Sequence, residues 1–225
     1  MSAISQADIK LCGSHAGVSI GEDGPSQMAL EDLSMFRSVC GSTVLYPSDA
    51  VSTTALVETM KDLKGVVFLR STREKTPVIY KATEKFPIGG CKTVRRGDAA
   101  TIIGAGITLH EAIKAADQLK AEGVDVRVVD LYSVKPIDVD TISRSARETH
   151  HLVVVEDHWR EGGLGDAVLA ALAQSHGAGH LEGEAARFTH LCVEKMPRSG
   201  KPDELLDDNK ISAKYIVEAV KAARA

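Results

Sequence analysis

The segment from Gly13 to Gln27, G-S-H-A-G-V-S-I-G-E-D-G-P-S-Q, places several reactive side chains on a glycine-rich backbone. It carries His15, the adjacent acids Glu22 and Asp23, and Gln27. An imidazole titrates near neutral pH, so His15 can donate to a substrate oxygen or move a proton. The alternative is structural, because acids and a proline at a helix start commonly serve as caps. The segment is the first candidate for a functional site.

Two arginines follow an apolar run that ends at Leu69. The run is typical of a buried parallel strand, and Arg70 and Arg73 come directly after it. Open α/β sheets bind their ligands at the carboxyl ends of strands, where a guanidinium can hold a phosphate through two hydrogen bonds. Glu74 beside Arg73 offers a surface ion pair instead. The residues alone leave these two interpretations open.

A G-A-G turn at Gly104 to Gly106 lies between a predicted strand and a predicted helix, and Asp130 ends the next predicted strand. This order resembles a dinucleotide site, but Leu109 stands where the fingerprint requires a third small residue. A tight turn is enough to explain the two glycines.

A second cluster of acids, histidine and glycines runs from Glu156 to Gly165. Its backbone N–H groups could bind an anion at a helix start, or the turn could pack against a partner subunit. The spacing of Glu156, Asp157 and His158 is not typical of a zinc site. No residue of the chain is assigned as a metal ligand.

The composition is that of an ordinary globular protein and excludes several classes. Of its 225 residues, 44% are hydrophobic and 26% charged, and the formal net charge is −4, so there is no basic footprint for nucleic acid. The sequence has no secretory leader pattern and no apolar run long enough for a membrane helix. The four cysteines lack a C-x-x-C pair and are interpreted as reduced thiols of a cytoplasmic protein.

Hydrophobic periodicity predicts an alternation of strands and helices. It predicts strands at 8–12, 43–46, 65–69, 99–103, 124–131, 152–156 and 188–193, and helices at 28–39, 49–63, 109–120, 139–148, 165–173 and 212–224. Residues 71–97 lack a clear period and are predicted to connect two domains. The pattern predicts an α/β fold of mostly parallel sheets with helices on both faces.

At these motifs the chain resembles the C-terminal portion of animal-type transketolase. The motifs that carry the resemblance stand in the family's order: S-H-A-G-V-S-I-G-E-D-G-P-S-Q-M-A-L-E-D-L, Y-P-S-D, G-A-G-I-T-L-H-E-A, V-E-D-H-W-R-E-G-G-L-G and P-R-S-G-K-P. The resemblance implies a partial pyrimidine-binding domain over residues 1–82, a linker over 83–93 and a Rossmann-like C-terminal domain over 94–225. It also implies transfer of a two-carbon ketol unit between sugar phosphates in the pentose phosphate pathway.

The resemblance implies a role for each of four residues. His15 would be catalytic and would bind the sugar phosphate together with Asp23, Arg73 would hold the substrate's phosphate, and Gln27 would approach the aminopyrimidine of thiamine diphosphate. The cofactor would carry a divalent cation, Mg²⁺ or Ca²⁺. The expected partners are sugar phosphates and either a second copy of the chain or an N-terminal transketolase half, with no nucleic acid and no membrane.

The sequence departs from the family pattern by two absences. It lacks the G-D-G…N motif for the metal and diphosphate, and the glutamate that activates the cofactor ring. The resemblance therefore implies that the main cofactor anchors belong to a missing N-terminal region. We expect the isolated chain to be inactive and to bind thiamine diphosphate weakly. One interpretation is a fragment or subunit that needs that region, and the alternative is a noncatalytic remnant that serves dimerisation or regulation.

Overall fold

The computed structural model describes residues 1–177 and 186–223, and they form two sheets. The first sheet has the strand order β1-β3-β2-β7. Its strands are β1 (Ile9–Gly13), β2 (Thr43–Leu45), β3 (Val66–Arg70) and β7 (Ser133–Lys135). Strands β1, β3 and β2 are parallel, and β7 adds an antiparallel edge from the C-terminal half of the chain.

The second sheet has the order β4-β6-β5-β8-β9. Its strands are β4 (Lys92–Arg95), β5 (Thr101–Gly104), β6 (Arg127–Asp130), β8 (His151–Trp159) and β9 (Arg187–Val193). All neighbouring pairs are parallel except β4 with β6. The predicted α/β class with mostly parallel sheets is confirmed.

Seven α-helices lie in the described part of the chain. They are α1 (Asp32–Ser38), α2 (Ala50–Met60), α3 (Ile107–Ala121), α4 (Val139–Thr149), α5 (Leu164–Gly177), α6 (Pro202–Asp208) and α7 (Ala213–Ala222). Asp49 starts α2 by accepting a hydrogen bond from the Ser52 backbone N–H at 2.7 Å, which satisfies one of the free donors at the helix start. None of the described helices has the length and apolar character needed to cross a membrane.

Alternating side chains of the second sheet place helices on both of its faces. Ile102 packs in a core with Leu109 of α3 and Ile216 of α7. Its neighbour Ile103 packs in a separate core with Ile142 of α4 and Val168 of α5. Because successive side chains of a strand point to opposite faces, this sheet is covered on both sides, as the sequence predicts.

The structure differs from the predicted elements where a strand is short or depends on a distant partner. Strand β4 lies inside the segment predicted to be only a connection, and the sequence pattern predicts neither β7 nor α6. Strand β8 continues through Glu156, Asp157 and His158, although the pattern ends the strand at Glu156. The predicted last helix ends at Ala222 rather than Arg224, and Arg224 lies outside the described residues.

Candidate functional site

The carboxyl ends of β1 and β3 lie side by side. Gly13 and Arg70 are register partners in this parallel pair. Beyond them, the Ser71 N–H donates to the Gly13 carbonyl at 2.7 Å and the Ala16 N–H donates to the Ser71 carbonyl at 3.1 Å. The segments that carry His15 and Arg73 thus leave the sheet together, at the edge where α/β proteins commonly bind ligands.

Asp23 and Arg73 form an ion pair across this edge. The distance from Arg73 Nη1 to Asp23 Oδ2 is 3.1 Å, and each side chain is 45% exposed. The alternative partner Glu74 forms no ion pair with Arg73 within the described residues. The structure therefore joins two of the predicted substrate residues, 50 positions apart in the chain, and leaves both open to an incoming anion or hydroxyl group.

His15 is exposed on the same loop in a left-handed backbone conformation. Its φ is 68°, a conformation that is uncommon outside glycine but enriched for histidine. Its Nδ1 lies 2.9 Å from the Ser14 hydroxyl oxygen, so Nε2 remains to meet a ligand. Sequence reasoning did not single out Ser14, whose only sequence signal is its position beside His15.

The same loop has a buried apolar underside. Val18, Ile20, Met28 and Leu30 belong to the core that contains Leu109 of α3. This packing holds the backbone, and the polar side chains of the loop stay at the surface except for Ser19, which is buried. Sequence reasoning placed the polar residues here but not the apolar residues that support them.

Gly17 is required at this loop by a close approach to β8. Its φ is 84°, and a Cβ built on it would lie 1.7 Å from Asp157 Oδ2. Gly24 meets the loop before α6 in a similar way, since a Cβ there would lie 2.5 Å from Ser199 Oγ. The P-R-S-G-K-P segment, whose role the sequence leaves open, thus packs against the candidate site.

The capping interpretation of Glu22 and Asp23 is wrong. The residues after them form a short 3₁₀ turn, Pro25–Gln27, and α1 begins only at Asp32. No side chain caps that turn, whereas Asp23 pairs with Arg73. Gln27 lies exposed on the turn, and within the described residues no hydrogen bond joins Gln27 or His15 to the Asp23–Arg73 pair.

Arg70 is fully buried and cannot meet a phosphate from solvent. Its Nε lies 2.9 Å from Asp32 Oδ2, its Nη1 lies 2.6 Å from Asp157 Oδ1, and its guanidinium carbon is 4.6 Å from the centre of the Tyr46 ring. Burial acts to lower the pKa of Arg70, but the charges of Asp157 and Asp32 outweigh it and raise the pKa well above its usual value. Arg70 is a permanent buried cation that joins the N-terminal half of the chain to β8.

The acid and histidine cluster on β8 is also structural. Glu156 accepts hydrogen bonds from the backbone N–H groups of Leu164 and Gly165 at the start of α5, and from His190 Nε2 at 2.5 Å. His158 is buried, and its Nε2 accepts from the Ser34 N–H at 3.3 Å. The helix start already carries an internal carboxylate, so it has no room for a bound anion.

The G-A-G turn is explained by packing, as the sequence suggests. A Cβ on Gly106 would lie 2.0 Å from Cζ of Tyr46, so only glycine allows the ring to pack there. Asp130 is buried and accepts from the Tyr80 hydroxyl at 2.6 Å and the Ser48 hydroxyl at 2.9 Å. Burial raises the pKa of Asp130 to about 7, and the two hydrogen bonds offset this only in part.

The candidate site brings no metal ligands together. Residues 1–177 and 186–223 contain no group of three or more histidine, cysteine, aspartate or glutamate side chains placed to hold an ion. Gln27 is the residue at this edge whose amide could meet a heterocyclic cofactor, because an amide both donates and accepts hydrogen bonds.

Comparison with known proteins identifies the family. The family model of the transketolase pyrimidine binding domain matches residues 1–78, and that of the transketolase C-terminal domain matches residues 89–216. The chain is 53% identical over 224 residues to a mouse protein named transketolase-like protein 2, and 50% identical over 224 residues to human transketolase. These alignments cover 98% of this chain but only 34% and 35% of the relatives.

A solved structure named "Split gene transketolase, inactive beta4 tetramer" has the same fold. It superposes with a TM-score of 0.84 at 31% sequence identity, over 98% of this chain and 67% of that one. The present chain therefore spans about a third of the length of the curated relatives, and two thirds of this split-gene chain.

Proposed function

This chain belongs to the transketolase family, and from that membership we propose that it forms the C-terminal part of a thiamine diphosphate-dependent catalytic unit. The unit transfers a two-carbon ketol group between sugar phosphates, as in the pentose phosphate pathway. The observation that carries the proposal is the exposed Asp23–Arg73 pair beside His15 at the carboxyl edge of β1 and β3. Packing requires none of these three side chains to be there.

The proposed roles follow from the chemistry of the exposed groups. Arg73 binds the substrate's phosphate, because its guanidinium keeps donors beyond the Nη1 that meets Asp23. The Asp23 carboxylate accepts hydrogen bonds from sugar hydroxyls. His15 Nε2 orients the substrate carbonyl or a hydroxyl and moves a proton at that oxygen.

The residues present fit one side of a thiamine diphosphate site. When bound, the cofactor supplies a nucleophilic carbon that carries the ketol group. Gln27 would meet its aminopyrimidine. The described residues contain no donor set for a divalent cation. We assign the diphosphate and its Mg²⁺ or Ca²⁺ to an N-terminal transketolase region, in the same protein or in a separate chain.

The first sheet offers a place for that region. Within the described residues β1 pairs only with β3, which makes it the end strand, and Leu11 on it is 38% exposed. An end strand presents unpaired N–H and C=O groups to another chain. The split-gene neighbour supports separate pieces, since it is named as an inactive tetramer of one kind of chain. The proposed assembly also includes a second copy of the catalytic unit, in the cytoplasm.

The alternative function is a noncatalytic remnant that serves dimerisation or regulation. One observation favours this alternative: the buried ion pairs of Arg70 hold the two halves of the chain together without any cofactor. A remnant would have no use for exposed His15, Asp23 and Arg73.

Reconstitution separates the two functions. The chain is mixed with the separately expressed N-terminal half of transketolase from the same organism, and ketol transfer is measured with thiamine diphosphate and Mg²⁺. We expect activity from the mixture and from neither part alone, and we expect His15→Asn to abolish it. His150→Asn is the matched control, because His150 is also exposed and left-handed, with a φ of 52°. A mixture that forms a complex but stays inactive would favour the remnant.

A further inference from the structure

A cavity lies beside the loop of the candidate site, and Ser19 of that loop forms part of its lining. Its volume is about 590 Å³, within the range of small-molecule sites. Residues 74–79, helix α3 and the start of α6 form its walls. The segment that follows Arg73 separates this cavity from a smaller one. Its residues Glu74, Lys75 and Thr76 line both cavities.

The interior of the cavity is mostly apolar. It is lined by side chains of isoleucine, leucine and proline: Pro77, Ile79, Ile107, Ile113, Pro202 and Leu206. Such a lining favours the apolar body of a ligand, because each unit of apolar surface removed from water stabilises the complex.

One polar group inside this lining lacks a partner. Ser19 borders the cavity with no exposed surface, and its hydroxyl oxygen forms no hydrogen bond to any described residue. A buried hydroxyl without a partner is costly, and a polar atom of a bound molecule would supply the missing hydrogen bond. His110 also lines the cavity and uses Nε2 to bond the Ser48 carbonyl at 2.7 Å, which leaves Nδ1 for a ligand.

Two lysines that line the cavity, Lys75 and Lys201, could pair with an anionic group. Glu111 is held by Lys114 at 2.7 Å and by the Ala213 N–H at 2.8 Å. Asp203 and Glu204 occupy the first turn of α6, where carboxylates stabilise the helix start. Within the described residues Lys75 and Lys201 form no ion pair, and Glu74 is the one acid lining the cavity without such a role. The lining as a whole carries three lysines and four acids, so the case for an anionic group rests on the two unpaired lysines.

We propose that this cavity binds a small amphipathic molecule with an apolar body and a single anionic group. The apolar body lies against Ile79, Ile107 and Ile113, a polar atom meets Ser19, and the anionic group lies between Lys75 and Lys201. This site is separate from the Asp23–Arg73 pair, and the inference does not rest on the proposed function.

The probe for the test is 8-anilinonaphthalene-1-sulfonate, which combines an aromatic body with one sulfonate. The full chain is titrated with the probe, and its fluorescence gives a dissociation constant. We expect saturable binding that K75E/K201E weakens by about tenfold, equivalent to roughly 1.4 kcal/mol. The control K85E/K195E makes the same change of charge at two exposed lysines outside the cavity and should leave the constant unchanged.

A second variant tests the apolar interior. Ile113→Asp should abolish saturable binding, whereas Val57→Asp, at a residue on α2 that is 47% exposed and outside the cavity, should not. Circular dichroism confirms that each variant is folded, and Ile113→Ser replaces Ile113→Asp if the aspartate variant is not. Binding that both cavity variants leave intact, or that the controls weaken equally, would overturn the proposal.

Discussion

Two arginines three positions apart differ entirely in what they can do. Arg70 ends β3 with its side chain turned into the protein, where two carboxylates neutralise it, and Arg73 lies on the loop beyond with its side chain half exposed. Residue type and sequence position do not separate them, because both follow the same strand. Burial separates them, since a buried charge must be paired within the protein and cannot also serve a ligand.

Arg73→Ala in the reconstituted enzyme should weaken use of phosphorylated substrates. Hydrogen bonds to a charged group contribute about 1.5–3 kcal/mol, so we expect kcat/KM to fall roughly 10- to 100-fold. A ketol acceptor without a phosphate should be affected much less, because it has no group for the guanidinium to hold. Steady-state kinetics with the two acceptors measures both effects.

The matched control for this prediction is Arg95→Ala. Arg95 is 47% exposed and pairs with Asp117 at 3.7 Å, so it resembles Arg73 in exposure and pairing but lies on β4. Its removal should leave both acceptors unaffected. Equal losses for both acceptors in Arg73→Ala would indicate a structural role for that residue.

Asp130→Asn should stabilise the chain at alkaline pH but not at acidic pH. The folded-state pKa of Asp130, about 7, lies above that of an unfolded aspartate, so the folded protein binds the proton more tightly. The stability that this proton confers is complete at low pH and is lost as the pH rises toward and through 7. At pH 8 the variant should be more stable by about 2–4 kcal/mol.

Denaturant unfolding at pH 4.5 and pH 8 measures this difference. Tyr80→Phe provides the complementary variant, because it removes a hydrogen bond that lowers the Asp130 pKa. In that variant the loss of stability should start at the same pH, near the pKa of an unfolded aspartate, but continue to higher pH, because the folded-state pKa of Asp130 is raised further. An Asp130→Asn variant whose stability follows the wild type at every pH would contradict the prediction.

At the scale of elements, the candidate loop is positioned by strand β8 and by the segment before α6. Both belong to the C-terminal half of the chain, whereas His15 and Arg73 belong to the N-terminal half. Asp157 on β8 holds Arg70 and approaches Gly17 closely, so one carboxylate supports both segments that carry the site.

Gly17→Ala should therefore lower the free energy of unfolding by far more than the strain of a left-handed alanine alone would. Its matched control is Gly123→Ala, because Gly123 has a similar φ of 80° and no atom within 4 Å of the position that an alanine methyl group would take. Gly123→Ala should lower the free energy of unfolding by about 1–2 kcal/mol, because alanine is disfavoured in the left-handed conformation. Gly17→Ala should lose roughly a further 3 kcal/mol, since its methyl group displaces Asp157 from Arg70 and breaks a buried ion pair.

Chemical denaturation of both variants gives the two free energies of unfolding. The double variant Gly17→Ala with Asp157→Ala should show a smaller added loss from the glycine change, because the obstructing carboxylate is absent. Equal losses for Gly17→Ala and Gly123→Ala would show that β8 does not constrain the loop.

At the scale of the whole molecule, the described residues supply one side of the proposed site. The end strand β1 lies beside His15, and the described residues hold no metal-binding cluster. These exposed side chains can orient a sugar phosphate, but they include few groups that could bind a diphosphate.

The isolated chain should accordingly bind thiamine diphosphate weakly and show no ketol transfer. Isothermal titration in the presence of Mg²⁺ measures the binding, with the reconstituted mixture as the positive control. Micromolar binding by the isolated chain would contradict this prediction. It would mean that the chain itself supplies the main cofactor anchors.

Much of the fold could be predicted from local pattern. The long helices α2, α3 and α4 and the buried strands β3 and β5 have the apolar periodicity that their burial requires. Strands β4 and β7 could not be predicted in this way, because four and three residues hold too little periodicity. Each is defined by hydrogen bonds to a strand distant in the sequence, β6 for one and β2 for the other.

The sequence by itself determined the family, the α/β class and the four candidate residues, because these depend on residue types in a local order. Only the tertiary structure decided that Asp23 pairs with Arg73, that Arg70 and the Glu156–His158 cluster are structural, and that a cavity lies beside the loop. The physical reason is that burial and pairing are properties of distant segments brought together by folding. A polar residue acts on a ligand only where that packing leaves it unpaired or exposed.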